Sequence, residues 1–118
     1  MPAKLSTHVL DTYHGIPAAG VSWSLERAIG EDTWELISSG ETNLQGRTDA
    51  PLLEGGALIT GCYRLTFDVA AYFRAKGVDL PEIPFLGKVR IEVGLLADEG
   101  YHVPLLASPW SFSTYRGS

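Results

Sequence analysis

One cysteine, a shortage of basic residues and no long apolar run: the 118-residue chain is bounded first by what it has little of. Cys62 stands alone, so no intrachain disulfide can form and nothing ties the fold to an oxidising compartment. No apolar stretch approaches the roughly 20 residues of a membrane helix. Strand-like alternation is already running at Leu5, which leaves no space for a cleavable leader, so the cytoplasm is the expected location. Lysine and arginine number 9 against 14 acidic residues, for a formal charge of −5 and no basic cluster. That balance argues against nucleic-acid and membrane-surface partners, and any polar or anionic ligand would need a local arginine. The glycine pair at 55 and 56 lacks the strand-before, helix-after setting of a phosphate loop, and no spacing matches a structural zinc site. Repeats, linkers and low-complexity tracts are absent as well. The expectation is one domain spanning 1–118, burying about two thirds of the surface its unfolded chain exposes.

What is present is period-two alternation. In "KVRIEVGL" Val89, Ile91, Val93 and Leu95 point one way and Lys88, Arg90 and Glu92 the other. "YRLTFDV" and "VSWSLE" repeat the pattern, and shorter strands are expected at 5–10, 33–38, near Arg47, at 101–107 and at 111–116. Turn-forming stretches such as "HGIPAAG", "IGED", "GETNLQG" and "ADEG" separate them. Seven or eight short strands at this spacing predict an all-β, two-sheet antiparallel sandwich. A single two-turn helix is expected in "DVAAYFRAKG", with Asp68 as N-cap and Gly77 as the stop. Trp23 and Trp34 read as core or near-core, Trp110 as a contact between subunits, and His14 as a solvated turn residue.

In "LSTHVLD" Leu5, Thr7 and Val9 share one face and Ser6, His8 and Leu10 the other; "YHVPLLA" splits Tyr101, Val103 and Leu105 from His102, Pro104 and Leu106. Both histidines therefore lie opposite the core-facing positions. Leu10, Pro104 and Leu106 make that outer face unusually apolar. A second copy of the subunit, packed about a two-fold axis, is the simplest cover.

Three blocks, "LSTHVLDTYHGIPAAGV", "TNLQGRTDAPL" and "YHVPLLASPWSFSTYRGS", resemble the signature regions of the transthyretin-like 5-hydroxyisourate hydrolases. The terminal Tyr-Arg-Gly-Ser is the most specific part, and it separates these hydrolases from transthyretin, the hormone carrier of the same fold. The resemblance implies a homotetramer, a dimer of dimers with its sites at the dimer–dimer interface. It also implies hydrolysis of 5-hydroxyisourate to 2-oxo-4-hydroxy-4-carboxy-5-ureidoimidazoline in urate degradation. No cofactor or metal is implied. The family's functional positions fall on His8, Arg47, His102, Tyr115 and Ser118. Departures occur at Gly100, where many relatives carry another histidine, and at Gln45, where aspartate is common.

Opening a ring by adding water to an amide carbonyl needs a base, a donor for the developing oxyanion and a proton for the departing nitrogen. Histidine serves both proton roles near neutral pH. His8 and His102 are expected to position and deprotonate the water, their division of labour left open. Arg47 presents a planar fork of donors to the substrate. Tyr115 would bond or stack against its flat ring, and Ser118 would add its hydroxyl or the terminal carboxylate. The alternatives are a transthyretin-type carrier of a small ligand in the intersubunit channel, and a structural domain that binds none.

Overall fold

A computed structural model describes residues 3–118. In chain order the elements are β1 (Lys4–Ser6), β2 (Val9–Asp11), β3 (Ile16–Pro17), β4 (Ser22–Gly30), β5 (Thr33–Glu41) and β6 (Leu53–Glu54). A single 3-10 turn (Gly55–Ala57), β7 (Gly61–Asp68), α1 (Val69–Ala75), β8 (Lys88–Leu95), β9 (Tyr101–His102), β10 (Leu105–Ala107) and β11 (Phe112–Ser113) follow.

The cleanest alternation builds the first layer, an antiparallel sheet in the order β5-β4-β7-β8. Register places Leu25 opposite Leu65, Leu65 opposite Ile91 and Phe67 opposite Val89, so one face is a continuous apolar surface. Its other face is charged. Arg64 grips Glu26 through Nε and Nη2 at 2.9 and 3.1 Å, and its guanidinium lies 4.4 Å from the Trp34 ring centroid. Trp34 thus sits outside the core, as a platform for an arginine, whereas Trp23 packs against the core from its edge.

The second layer is made of β6-β1-β9 and β11-β10-β2-β3. Each of the tracts 5–10 and 101–107, expected as one strand, is divided in two. Pro104, which has no N–H, lies at the break between β9 and β10. Pairing nevertheless carries across the break, with Val103 N–H donating to Ser6 O (2.8 Å) and Leu105 N–H to His8 O (2.9 Å). Such divisions, with two short strands at Ile16–Pro17 and Leu53–Glu54, bring the number to eleven among the described residues, while the strand expected near Arg47 is reduced to an isolated bridge. β1 runs parallel to β9, and β2 parallel to β10.

Between the layers Leu5, Val9, Tyr101, Val103 and Leu105 meet Leu25, Leu65, Phe67 and Val89. Pro104 corrects the outer-face reading: it is buried, and Thr114 Oγ1 donates to its carbonyl at 2.7 Å as the last segment crosses back over the sheet. The helix forms as expected. Asp68 accepts from Ala71 N–H (3.2 Å), and Gly77 takes the left-handed φ of 85° that ends it.

His14 is exposed, as a solvated turn residue should be, and its ring has a partner as well. Its Nδ1 lies 2.6 Å from Asp11 Oδ2, an oxygen that also accepts from the Tyr72 hydroxyl at 2.8 Å. Tyr72 belongs to α1, so the buried carboxylate ties the helix to the turn after β2. No helix among the described residues is long and apolar enough to cross a membrane.

Candidate active site

The second layer turns Leu5, Thr7 and Val9 inward and leaves Ser6, His8 and Leu10 half-buried on its outer side. On the neighbouring strand the same rule buries Tyr101 and leaves His102 half-buried. Because β1 and β9 are parallel and in register at Ser6 and His102, these two residues are cross-strand neighbours on one face. Ser6 Oγ and His102 Nδ1 are 2.9 Å apart.

Arg47 arrives from the loop after β5 and forms an isolated antiparallel bridge with His8. Asn43 shapes that loop. Its side-chain oxygen accepts from the N–H groups of Gln45 (2.9 Å) and Arg47 (3.1 Å), an Asx-type turn, and its own N–H donates to Arg47 O (2.8 Å). Gly46 is required between them. It has a φ of +77°, and a Cβ there would run into the Val9 carbonyl oxygen. The close approach lets Val9 N–H donate to Gly46 O at 2.8 Å, docking the loop onto β2.

The same loop orients His8. Its Nε2 lies 2.8 Å from the backbone carbonyl of Gln45. A carbonyl only accepts, so Nε2 carries the proton and Nδ1 holds the lone pair of the neutral ring. Gln45, read from sequence as a departure, acts here through its main chain, which an aspartate would also supply.

His102 is clamped from the other side by the chain's last residues: its N–H donates to Gly117 O (3.1 Å) and its carbonyl accepts from Gly117 N–H (2.7 Å). Arg116 steadies this tail, bonding Glu99 at 3.0 Å and covering the Tyr101 ring at 4.5 Å. Burial, then the positive charge of Arg47 and the unfavourable pairing with a second imidazole at His8, hold the His102 pKa below the ordinary histidine value. His102 is therefore a neutral ring near neutral pH, able to take a proton.

Among the five residues singled out by sequence, His8, Arg47 and His102 come together, and Ser118 follows directly on the Gly117 clamp. Tyr115 is placed differently. It is exposed and lines a largely apolar groove of about 310 Å³ with Tyr101, Val103 and the edge of β8. Beside Arg47 lies a depression of about 160 Å³, lined by Ser6, Thr7, Thr48 and Asp49. Sequence reasoning passed over Ser6, Asn43 and Gly46 as contributors. Asn43 and Gly46 carried a turn signal in "TNLQGR", but Ser6 becomes visible only once the parallel register is known.

The two-layer all-β sandwich is transthyretin-like, and it carries two imidazoles and a guanidinium together outside one of its sheets. The chain matches the HIUase/Transthyretin family over residues 5–117 and belongs to it. It is 49% identical over 116 residues to a 5-hydroxyisourate hydrolase of Pseudomonas aeruginosa, covering 98% of this chain and 91% of that one. Its structure is similar to that of Klebsiella pneumoniae 5-hydroxyisourate hydrolase, with TM-score 0.80, 34% identity and coverage of 98% and 99%. It also resembles the crystal structure of (S)-allantoin synthase, with TM-score 0.92 and 42% identity. There it covers 99% of this chain but spans only 44% of the longer one.

Proposed function

We propose that this chain hydrolyses 5-hydroxyisourate, within urate degradation, as a single domain over residues 1–118 in the cytoplasm. The supporting observation is the convergence of His8, Arg47 and His102 on one face in a chain so similar to named 5-hydroxyisourate hydrolases. Water held at the two imidazoles loses a proton to one of them and attacks the activated carbonyl carbon. The guanidinium of Arg47 donates to the oxygen that gains negative charge. The ring carbon–nitrogen bond then breaks, and a histidine returns the proton to the departing nitrogen. The Ser118 hydroxyl, carried by the clamped tail, is a further proton carrier, and Tyr115 contacts the ring. No step calls for a cofactor.

The active form is a homotetramer, a dimer of dimers with the sites between its dimers. Support comes from the site's shape. The 160 Å³ beside Arg47 is smaller than the roughly 300–1,000 Å³ typical of a small-molecule pocket, and it lies open on a sheet face. Leu10 and Leu106, paired in register on that face, are the apolar surface a second dimer would cover.

A coupled assay tests the reaction. Urate and urate oxidase generate the substrate, and added protein should speed the disappearance of its ultraviolet absorbance. An unchanged decay would remove the hydrolytic reading and favour a carrier.

A further inference from the structure

We propose that Ser6 is a positioning residue for His102: its hydroxyl oxygen accepts the Nδ1–H of the ring, leaving Nε2 as the free basic nitrogen. This role and the direction of the bond rest on the hydrolytic reading above, but the measurement of the tautomer needs no turnover.

The geometry is over-determined. Ser6 and His102 sit opposite one another in the β1–β9 ladder. Ser6 is held through its carbonyl, which accepts from Val103 N–H at 2.8 Å, and His102 through its paired bonds with Gly117. Neither backbone can drift without breaking a ladder, which keeps the two side chains within reach of the 2.9 Å contact between Oγ and Nδ1. Both side chains are half-buried, which lessens competition from solvent.

The direction of the bond follows from what surrounds it. A hydroxyl can donate or accept. If Ser6 donated to Nδ1, the neutral ring would carry its proton on Nε2 and could only donate there. The site already has donors in abundance: Arg47 offers nothing else, and His8 has its Nε2–H committed to the Gln45 carbonyl. What hydrolysis needs from His102 is a lone pair, and an accepting Ser6 places it on Nε2.

Serine also suits the task better than a carboxylate. An acidic partner at Nδ1 would stabilise the imidazolium and raise its pKa. A neutral oxygen orients the ring and preserves the low proton affinity produced by burial, Arg47 and His8. The ring thus stays unprotonated and ready as a base.

Nitrogen-15 NMR of the histidine rings, with assignment by His102→Asn, reads the tautomer without any turnover. The native protein should show His102 with a protonated Nδ1, and Ser6→Ala should abolish that bias while Ser6→Thr retains it. In the coupled assay Ser6→Ala should lower kcat roughly 10-fold with little change in KM, the scale of loss when an imidazole loses its orienting partner. Ser6→Thr should recover the rate, and Ser6→Ala should cost nothing further on a His102→Asn background. A native ring protonated on Nε2, a tautomer indifferent to Ser6→Ala, or full additivity with His102→Asn would overturn the assignment. If the native protein fails to hydrolyse 5-hydroxyisourate, the hydrolytic reading falls and the NMR result still decides the role of Ser6.

Discussion

His102 and Gly117 hold each other by two backbone hydrogen bonds, at 3.1 and 2.7 Å, across a gap that is tight for any side chain. A Cβ added at Gly117 would stand 3.1 Å from His102 Cβ and 3.3 Å from its carbonyl oxygen. The last residues are consequently a short continuation of the sheet, seated against the histidine they are proposed to assist. Thr114, bonded to Pro104, and Arg116, bonded to Glu99, keep the intervening chain in place.

Gly117→Val should displace the clamp and with it Ser118, while leaving the sandwich core untouched. Because misplacing a catalytic group by about 1 Å can cost on the order of 10²-fold, turnover should fall by ten- to a hundred-fold at nearly unchanged thermal midpoint. Removing Tyr115–Ser118 should do at least as much harm. Native turnover from the truncated chain would exclude the tail from the chemistry.

How much of this was legible beforehand follows from range. Alternation is a local signal, and it correctly turned Leu5, Val9, Leu65 and Phe67 inward and both histidines outward. Asp68 and Gly77 marked the helix by local chemistry too. Partnership between strands is not local. Nothing in "LSTHVLD" announces that Ser6 will face His102 across 96 residues, or that Asp11 will meet Tyr72 across 61. Pro104 was misread for the same reason, since alternation assigns a face but cannot see that a later segment returns to cover it. His14 is solvated as read, but its bond to Asp11, three residues away, was not legible, because Asp11 reads as an ordinary turn carboxylate until α1 buries it.

Gly46→Ala tests the loop that delivers Arg47. Forcing a side chain into the left-handed region costs about 1–3 kcal/mol, and the collision with the Val9 carbonyl adds to it. The protein should lose stability by at least that amount in urea titration, and the surviving folded fraction should turn over poorly because Arg47 has moved. A variant as stable and active as the native chain would show that the loop tolerates another path.

His102→Asn should reduce turnover by about 10²–10⁴-fold, the range for a lost proton-transfer group, with elution on size-exclusion chromatography unchanged from the native protein. Arg47→Lys should fare little better, since an ammonium cannot reproduce the paired donors of a guanidinium. Its losses should appear mainly in kcat if Arg47 serves the developing oxyanion. A rise in KM alone would instead make it a binding residue.

Asp11 gives the fold a pH dependence whose sign can be worked out. Burial alone would raise its pKa, but hydrogen bonds from the His14 backbone and ring and from Tyr72 outweigh burial and hold it below the ordinary carboxylate value. Its unfolded pKa is about 3.9, so the folded state binds fewer protons below that point. The stabilisation is accordingly complete above about pH 4 and is lost as pH falls through the depressed folded value. Asp11→Ala should abolish this component and strand the buried Tyr72 hydroxyl, costing about 2–3 kcal/mol at neutral pH, as expected for hydrogen bonds to a charged group. Urea titrations of both proteins between pH 7 and pH 3 measure the difference. The gap between them should narrow as the solution is acidified, and a gap that stays constant would mean that the carboxylate is not the group holding α1 to the turn after β2.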